Sequence, residues 1–191
     1  HGCAPVTLSP ATMKPRPPLR KARSWPTLAS MTRSQRPSAG PARIRLASYN
    51  IRKGVGTDRT RNPLRILKVL AELDADIVCL QEADRRFGSR ASVLPPVLLE
   101  HHSDYAAVPL DVQGDSMGWH GNAILVRRGL EVLAHDIIHI PYLEPRGVVT
   151  ATIATRAGPV SVFGMHLDLS GLWRLRQARV IAELAARFHA R

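Results

Sequence analysis

Apolar and polar residues along this chain follow two different periods. From Ile44 to Ile51 they alternate, with Ile44, Leu46 and Ser48 on one side and Arg45, Ala47 and Tyr49 on the other, which predicts a strand. Lys53 to Thr57 contains two glycines and reads as a loop. Asn62 followed by Pro63 has the chemistry of a helix start, an N-cap amide and a proline at the first helical position. Leu64, Leu67, Leu70 and Leu73 then recur every third residue, Ile66 and Val69 widen the face, and Asp74 to Asp76 end the helix. Ile77 to Leu80 is a short apolar run, as expected of a strand buried on both faces.

The second half is more broken. Pro95 and Pro96 introduce a helical turn or two around Val97 to Leu99. Tyr105 to Val108 and Asn122 to Val126 predict strands, and the polar, glycine-containing stretch Asp111 to Gly121 between them reads as a surface loop. Leu130 to Ala134 predicts another strand. Val148 to Ala154 and Val160 to His166 predict a hairpin across Thr155 to Pro159. After Gly171 a helix is expected, with Leu175, Ala178, Ile181, Leu184, Ala185 and Phe188 on its inner face. This order of elements describes an α/β or α+β domain of packed layers.

Composition divides the chain. Its net charge is +12, of which residues 1–43 supply +8 and the rest only +4. Those first 43 residues hold eight prolines and no Asp or Glu, and their apolar residues show no period. Such a segment cannot repay the entropy of ordering, so a disordered basic tail is expected over 1–43 and a folded domain over 44–191. The tail can bind nucleic acid or anionic lipid loosely, or be merely solvated. The first residue is His, with Met31 and Met13 as candidate starts. No secretory apolar segment and no apolar run near 18 residues occurs, so no transmembrane segment is expected. Cys79 reads as a small core residue, unpaired with Cys3, which suits a reducing, cytoplasmic setting.

Three predicted strands end in residues that can carry chemistry: Asn50, Glu82 and His166. An amide, a carboxylate and an imidazole at one sheet edge can hold a divalent metal and a phosphate. Mg²⁺ (or Mn²⁺) prefers oxygen ligands and often takes one or two carboxylates together with phosphate oxygens. The Asn amide can orient the metal shell or a phosphate oxygen, and the His can donate to a phosphoryl oxygen. Each residue alone has a plainer alternative: a strand-capping Glu, a turn Asn, a His satisfied by backbone. His120 and Asn122 in WHGNAILV form a second polar cluster, able to reach a substrate or to pin a loop. Arg85, Arg86 and Arg146 can contact phosphate as bidentate forks or sit in structural ion pairs. Asp168, two residues beyond His166, is a further candidate, as a metal ligand or beside the substrate. No phosphate-binding GxxxxGK[ST] loop, GxSxG elbow or helical zinc pair is present.

The segments ASYNIRKGVG, LDADIVCLQEAD, HGNAILVRR and FGMHLDLS followed by RLRQARVIAEL, in that order, resemble the endonuclease/exonuclease/phosphatase superfamily, in its bacterial branch. The resemblance implies a four-layer fold, two β-sheets face to face with helices outside. It also implies hydrolysis of a phosphoester, in nucleic acid or in a phosphorylated lipid or small molecule, helped by Mg²⁺ or Mn²⁺. It assigns metal binding to Glu82, orientation of phosphate and metal shell to Asn50, and phosphate contact to His166. It further implies a later Asp-x-Asn motif and a closing Ser-Asp-His, neither of which occurs up to Arg191. The expectation is therefore a chain that, alone, is incomplete at its C-terminus, poorly active and poorly stable. The competing expectation is a non-catalytic remnant or basic-tailed nucleic-acid-binding protein.

Overall fold

In the computed structural model, which describes residues 43–85, 91–110, 115–144 and 147–189, the first helix begins where its sequence says it should. Asn62 Oδ1 accepts from the Arg65 backbone N–H at 3.2 Å, and Pro63 occupies a position whose N–H would lack a helical partner anyway. Helix α1 (Pro63–Leu73) follows and stops at Asp74, which adopts the left-handed conformation at φ 45°. The expected tail, apart from Arg43, lies outside the described residues.

Strands β1 (Leu46–Asn50), β2 (Ile77–Gln81), β3 (Tyr105–Ala107) and β4 (Ala123–Arg127) form one sheet in the order β1-β2-β4-β3. β1 and β2 are parallel, as the intervening α1 allows, and β4 runs antiparallel to β2 and β3. Helix α2 (Pro96–His102) leads into β3. Strands β5 (Val132–His139), β6 (Gly147–Ile153) and β7 (Val160–Met165) form a second, antiparallel sheet in sequence order, and helix α3 (Gly171–His189) closes the described chain.

Side-chain alternation sorts these elements into four layers. Val78 and Leu80 of β2 face outward, joining Ile66, Leu67 and Leu70 of α1 and Leu99 of α2. Ile77 and Cys79, one residue out of step, face inward and meet Val149, Ala151, Ile153 and Val162 of the second sheet. The other face of that sheet, through Ile138 and Val148, with Phe163 and Met165, packs on Val180, Ile181 and Leu184 of α3. The fold is thus two β-sheets face to face, flanked by helices. β2 is buried along its whole length because it is covered on both faces.

Three expectations change. β5 does not end at Ala134 but runs to His139. Its register against β6 shifts between Val132 and Ala134, and beyond that irregularity the pairing continues. The stretch before Gly121 is not all surface: Met117 and Gly118 are buried, and Trp119 pairs with Asn122 in a tight bridge. On α3 the inner face is rotated. Gln177 is fully buried, whereas Leu175 and Ala178 are exposed. The apolar period at 175, 178 and 181 misled because the helix buries a polar residue that has a hydrogen-bonding task.

Candidate active site

Topology brings the polar strand ends together. β1 and β2 are parallel and in register, with Asn50 opposite Gln81, so Asn50 and Glu82 emerge at the same end of the sheet. β4 is antiparallel, with Ala123 opposite Leu80, so the preceding residues His120, Gly121 and Asn122 reach that end too. In the second sheet, His139 lies opposite Gly147, and Met165 opposite Val148, which brings His166 to the corresponding edge. Asn122 Nδ2 donates to Gly147 O at 3.0 Å and ties the two edges together.

Glu82 is the centre of this end. Its Oε1 accepts from Asn50 Nδ2 at 3.0 Å and its Oε2 from Lys53 Nζ at 2.7 Å. Asn50 is itself aimed by accepting the Arg52 backbone N–H on Oδ1 at 2.9 Å. Burial pushes the Glu82 carboxyl up, but the hydrogen bonds from Lys53 and Asn50 and the nearby charges of Lys53 and His166 outweigh it and hold the group below the usual glutamate range. The carboxylate is therefore kept ionised, with His166 near enough to act on it electrostatically.

The backbone around it is bent. Arg52, Lys53, Glu82 and His120 all have positive φ, between 48° and 56°. Such conformations cost energy in non-glycine residues, and here they are pinned by pairing: Ile51 N–H to Gln81 O, Lys53 N–H to Glu82 O and Ala83 N–H to Gly121 O, at 2.9–3.1 Å. Gly121, at φ 79°, lets the chain press on Glu82. A Cβ at Gly121 would stand 3.4 Å from Glu82 Cα.

Other candidates have different tasks. Asn122 is fully buried; its Nδ2 donates to Gly147 O and so pins the sheets together, and its Oδ1 has no hydrogen-bond partner. Asp168 is 2% exposed. Its carboxylate accepts the Leu143 and Glu144 backbone N–H groups at 3.2 and 3.3 Å and Gln177 Nε2 at 2.6 Å. Gln177 completes the clasp, accepting the Asp168 N–H and donating to Pro141 O. These two residues fasten the loop after β5 to α3. Arg85 is exposed, its N–H bonded to Ala91 O. Arg86 and Arg146 lie outside the described residues.

Sequence reasoning passed over Lys53, Gln177 and the ring cluster of Trp119 and Tyr142. Lys53 had a signal, standing three residues after Asn50 in a loop leaving the same strand. Gln177 had one as well, as a polar residue one helical turn from both Trp173 and Ile181.

The sequence profile of the endonuclease/exonuclease/phosphatase family matches residues 47–191. The chain belongs to this family. No curated protein matches it. Solved structures of similar fold include a humanised D. rerio TDP2 carrying 14 mutations, at 20% identity and TM-score 0.54, covering 73% of this chain and 55% of that one. An endonuclease/exonuclease/phosphatase from Beutenbergia cavernae aligns at 20% identity and TM-score 0.53, over 73% of this chain and 43% of the other. D. rerio TDP2 complexed with a single-strand DNA product aligns at 18% identity and TM-score 0.55, over 75% and 54%. This member of the family thus spans about half the length of these solved structures or less.

Proposed function

We propose that the Glu82 end of the sandwich is the phosphoester-hydrolysing site of a divalent-metal-dependent member of the family. The observation that carries this reading is the Asn50–Glu82–Lys53 arrangement, which keeps one carboxylate ionised and oriented at the end where His166 also arrives.

The donor set fits a hard cation. Among the described residues no group of three or more His, Cys, Asp or Glu side chains could hold a metal ion. A lone Glu suits Mg²⁺ or Mn²⁺, since Mg²⁺ keeps several waters and is completed by phosphate oxygens. Glu82 would hold the ion. When bound, it supplies Lewis-acid polarisation of the phosphoryl oxygen. Asn50 and Lys53 fix the carboxylate, Lys53 and the neighbouring Arg52 would attract the phosphate, and His166 would donate to a phosphoryl oxygen as charge builds there. Arg85, Arg86, Arg146, His120, Asn122 and Asp168 remain candidate substrate contacts. The substrate class is a phosphoester in nucleic acid or in a phosphorylated lipid or small molecule, and the DNA product bound by the zebrafish relative favours nucleic acid.

The test is Mg²⁺-dependent hydrolysis of a phosphodiester by the wild-type protein and by Glu82→Ala. Wild-type turnover should need the metal and should fall roughly 10²-fold or more in the variant. Undiminished turnover in Glu82→Ala would remove the assignment.

A further inference from the structure

Aromatic rings form a continuous line across the end of the sandwich that carries Glu82. Tyr142 and His120 have ring centroids 6.5 Å apart, His120 and Trp119 4.3 Å, and Trp119 and His139 5.4 Å. His120, within the line, precedes Gly121, whose backbone packs on the backbone of Glu82. Trp119 anchors the line. The indole lies against Gly147, where a Cβ would come within 2.4 Å of the ring. Tyr142 is held through the clasp of Asp168 and Gln177, which bonds the backbone of Pro141, Leu143 and Glu144 on either side of it. Despite that support the Tyr142 side chain is 48% exposed, and His139 is exposed as well. Neighbouring rings meet at 54–84°, edge towards face, so they brace one another, and Tyr142 at the end of the line keeps its exposed side open.

The geometry points to a base-stacking subsite: Tyr142 and His120 receive an unpaired nucleobase next to the phosphoester held at Glu82. The inference rests on the phosphoester reading of that end and deepens it by naming the substrate as a single-stranded or locally unpaired nucleic acid. A base still paired in a duplex has its faces covered by its neighbours, whereas a splayed one can stack on a ring. A quaternary-ammonium headgroup is the other occupant that rings can attract. It fits less well, because the strongest such attraction comes from Trp, Tyr or Phe faces, and two of the four rings are imidazoles.

The test is binding of a short single-stranded oligodeoxynucleotide, and of the same oligomer built from abasic units, to the full chain in EDTA, by titration calorimetry and tryptophan fluorescence. Both oligomers carry the same phosphates, so the basic N-terminal residues contribute equally to both. The base-bearing oligomer should bind about tenfold more tightly. Tyr142→Ala should bring it down to the abasic level, and Tyr142→Phe should restore the difference. Tyr142 is half exposed, so circular dichroism should show both variants folded. Equal affinity for the two oligomers, or a base preference that survives Tyr142→Ala, overturns the subsite. So does Tyr142-dependent binding of phosphocholine vesicles that exceeds binding of the oligomer. The binding arms need no turnover. A Tyr142-dependent base preference in a protein that hydrolyses no phosphodiester with Mg²⁺ would overturn the catalytic reading and leave the stacking subsite standing.

Discussion

Glu82 shows how a single side chain is tuned by its neighbours. Its carboxylate gains two hydrogen bonds and a lysine's charge on folding, and these outweigh the burial that opposes ionisation. The folded group therefore titrates below the ordinary glutamate value of 4.5. A carboxyl depressed in this way adds stability that is fully present above the unfolded value and disappears as pH falls through the folded one. Urea unfolding of wild type and Glu82→Gln should differ by a constant amount above about pH 5, and the difference should shrink at lower pH. A difference independent of pH would mean that the carboxylate gains nothing from Lys53 and Asn50.

At the scale of elements, α3 is the instructive case. Its apolar residues suggested a face through Leu175 and Ala178, yet the helix turns Gln177 inward. The reason lies in another segment. The loop after β5 presents the Pro141 carbonyl and the Leu143 and Glu144 N–H groups to the interior, and Asp168 with Gln177 is what satisfies them. Buried polar groups must be paired, and that requirement outweighs the hydrophobic period of the helix. Gln177→Leu, which looks conservative by shape, should cost about 1–3 kcal/mol, because it removes the hydrogen bonds that Gln177 makes to the Asp168 N–H, the Asp168 carboxylate and the Pro141 carbonyl. Leu175→Gln, at a side chain 49% exposed, should stay within about 0.5 kcal/mol of wild type. Thermal unfolding of the two variants distinguishes the faces, and the reverse ranking would place the inner face where the apolar period first put it.

Across the whole molecule, the spacing of the two sheets is set by small residues at the places where they approach most closely. At Gly164 of β7 a Cβ would stand 2.9 Å from Val149 Cγ2, 3.3 Å from Ile124 Cγ1 and 3.6 Å from Cys79 Sγ, so atoms of both sheets crowd it. Gly164→Val should force the sheets apart and destabilise by about 1–3 kcal/mol, read as a lower urea midpoint. An unchanged midpoint would show the interface to be looser than its geometry. Cys79 lies in the same layer, where burial pushes its thiol up to about 11, so it packs as an apolar residue and is not poised as a nucleophile.

Features that depend on neighbours along the chain can be read without the fold. The Asn62–Pro63 cap works because capping is a local exchange of hydrogen bonds. The double-faced burial of β2 was visible in an unbroken apolar run, and Asn50, Glu82 and His166 stood out because polar residues at strand ends interrupt such runs. The ordered segments together also pointed to the four layers and to the family. Tertiary structure decided what depends on which distant groups meet. It paired Glu82 with Lys53, gave Asp168 to the loop after β5, buried Asn122 between the sheets, and lined Tyr142, His120, Trp119 and His139 along one end. None of these has a sequence period, because the partners lie on different elements and their contacts are set by sheet register and by how the layers cross. A hydrogen bond between residues 25 or more positions apart follows from packing, and the pattern of the chain only makes that packing available.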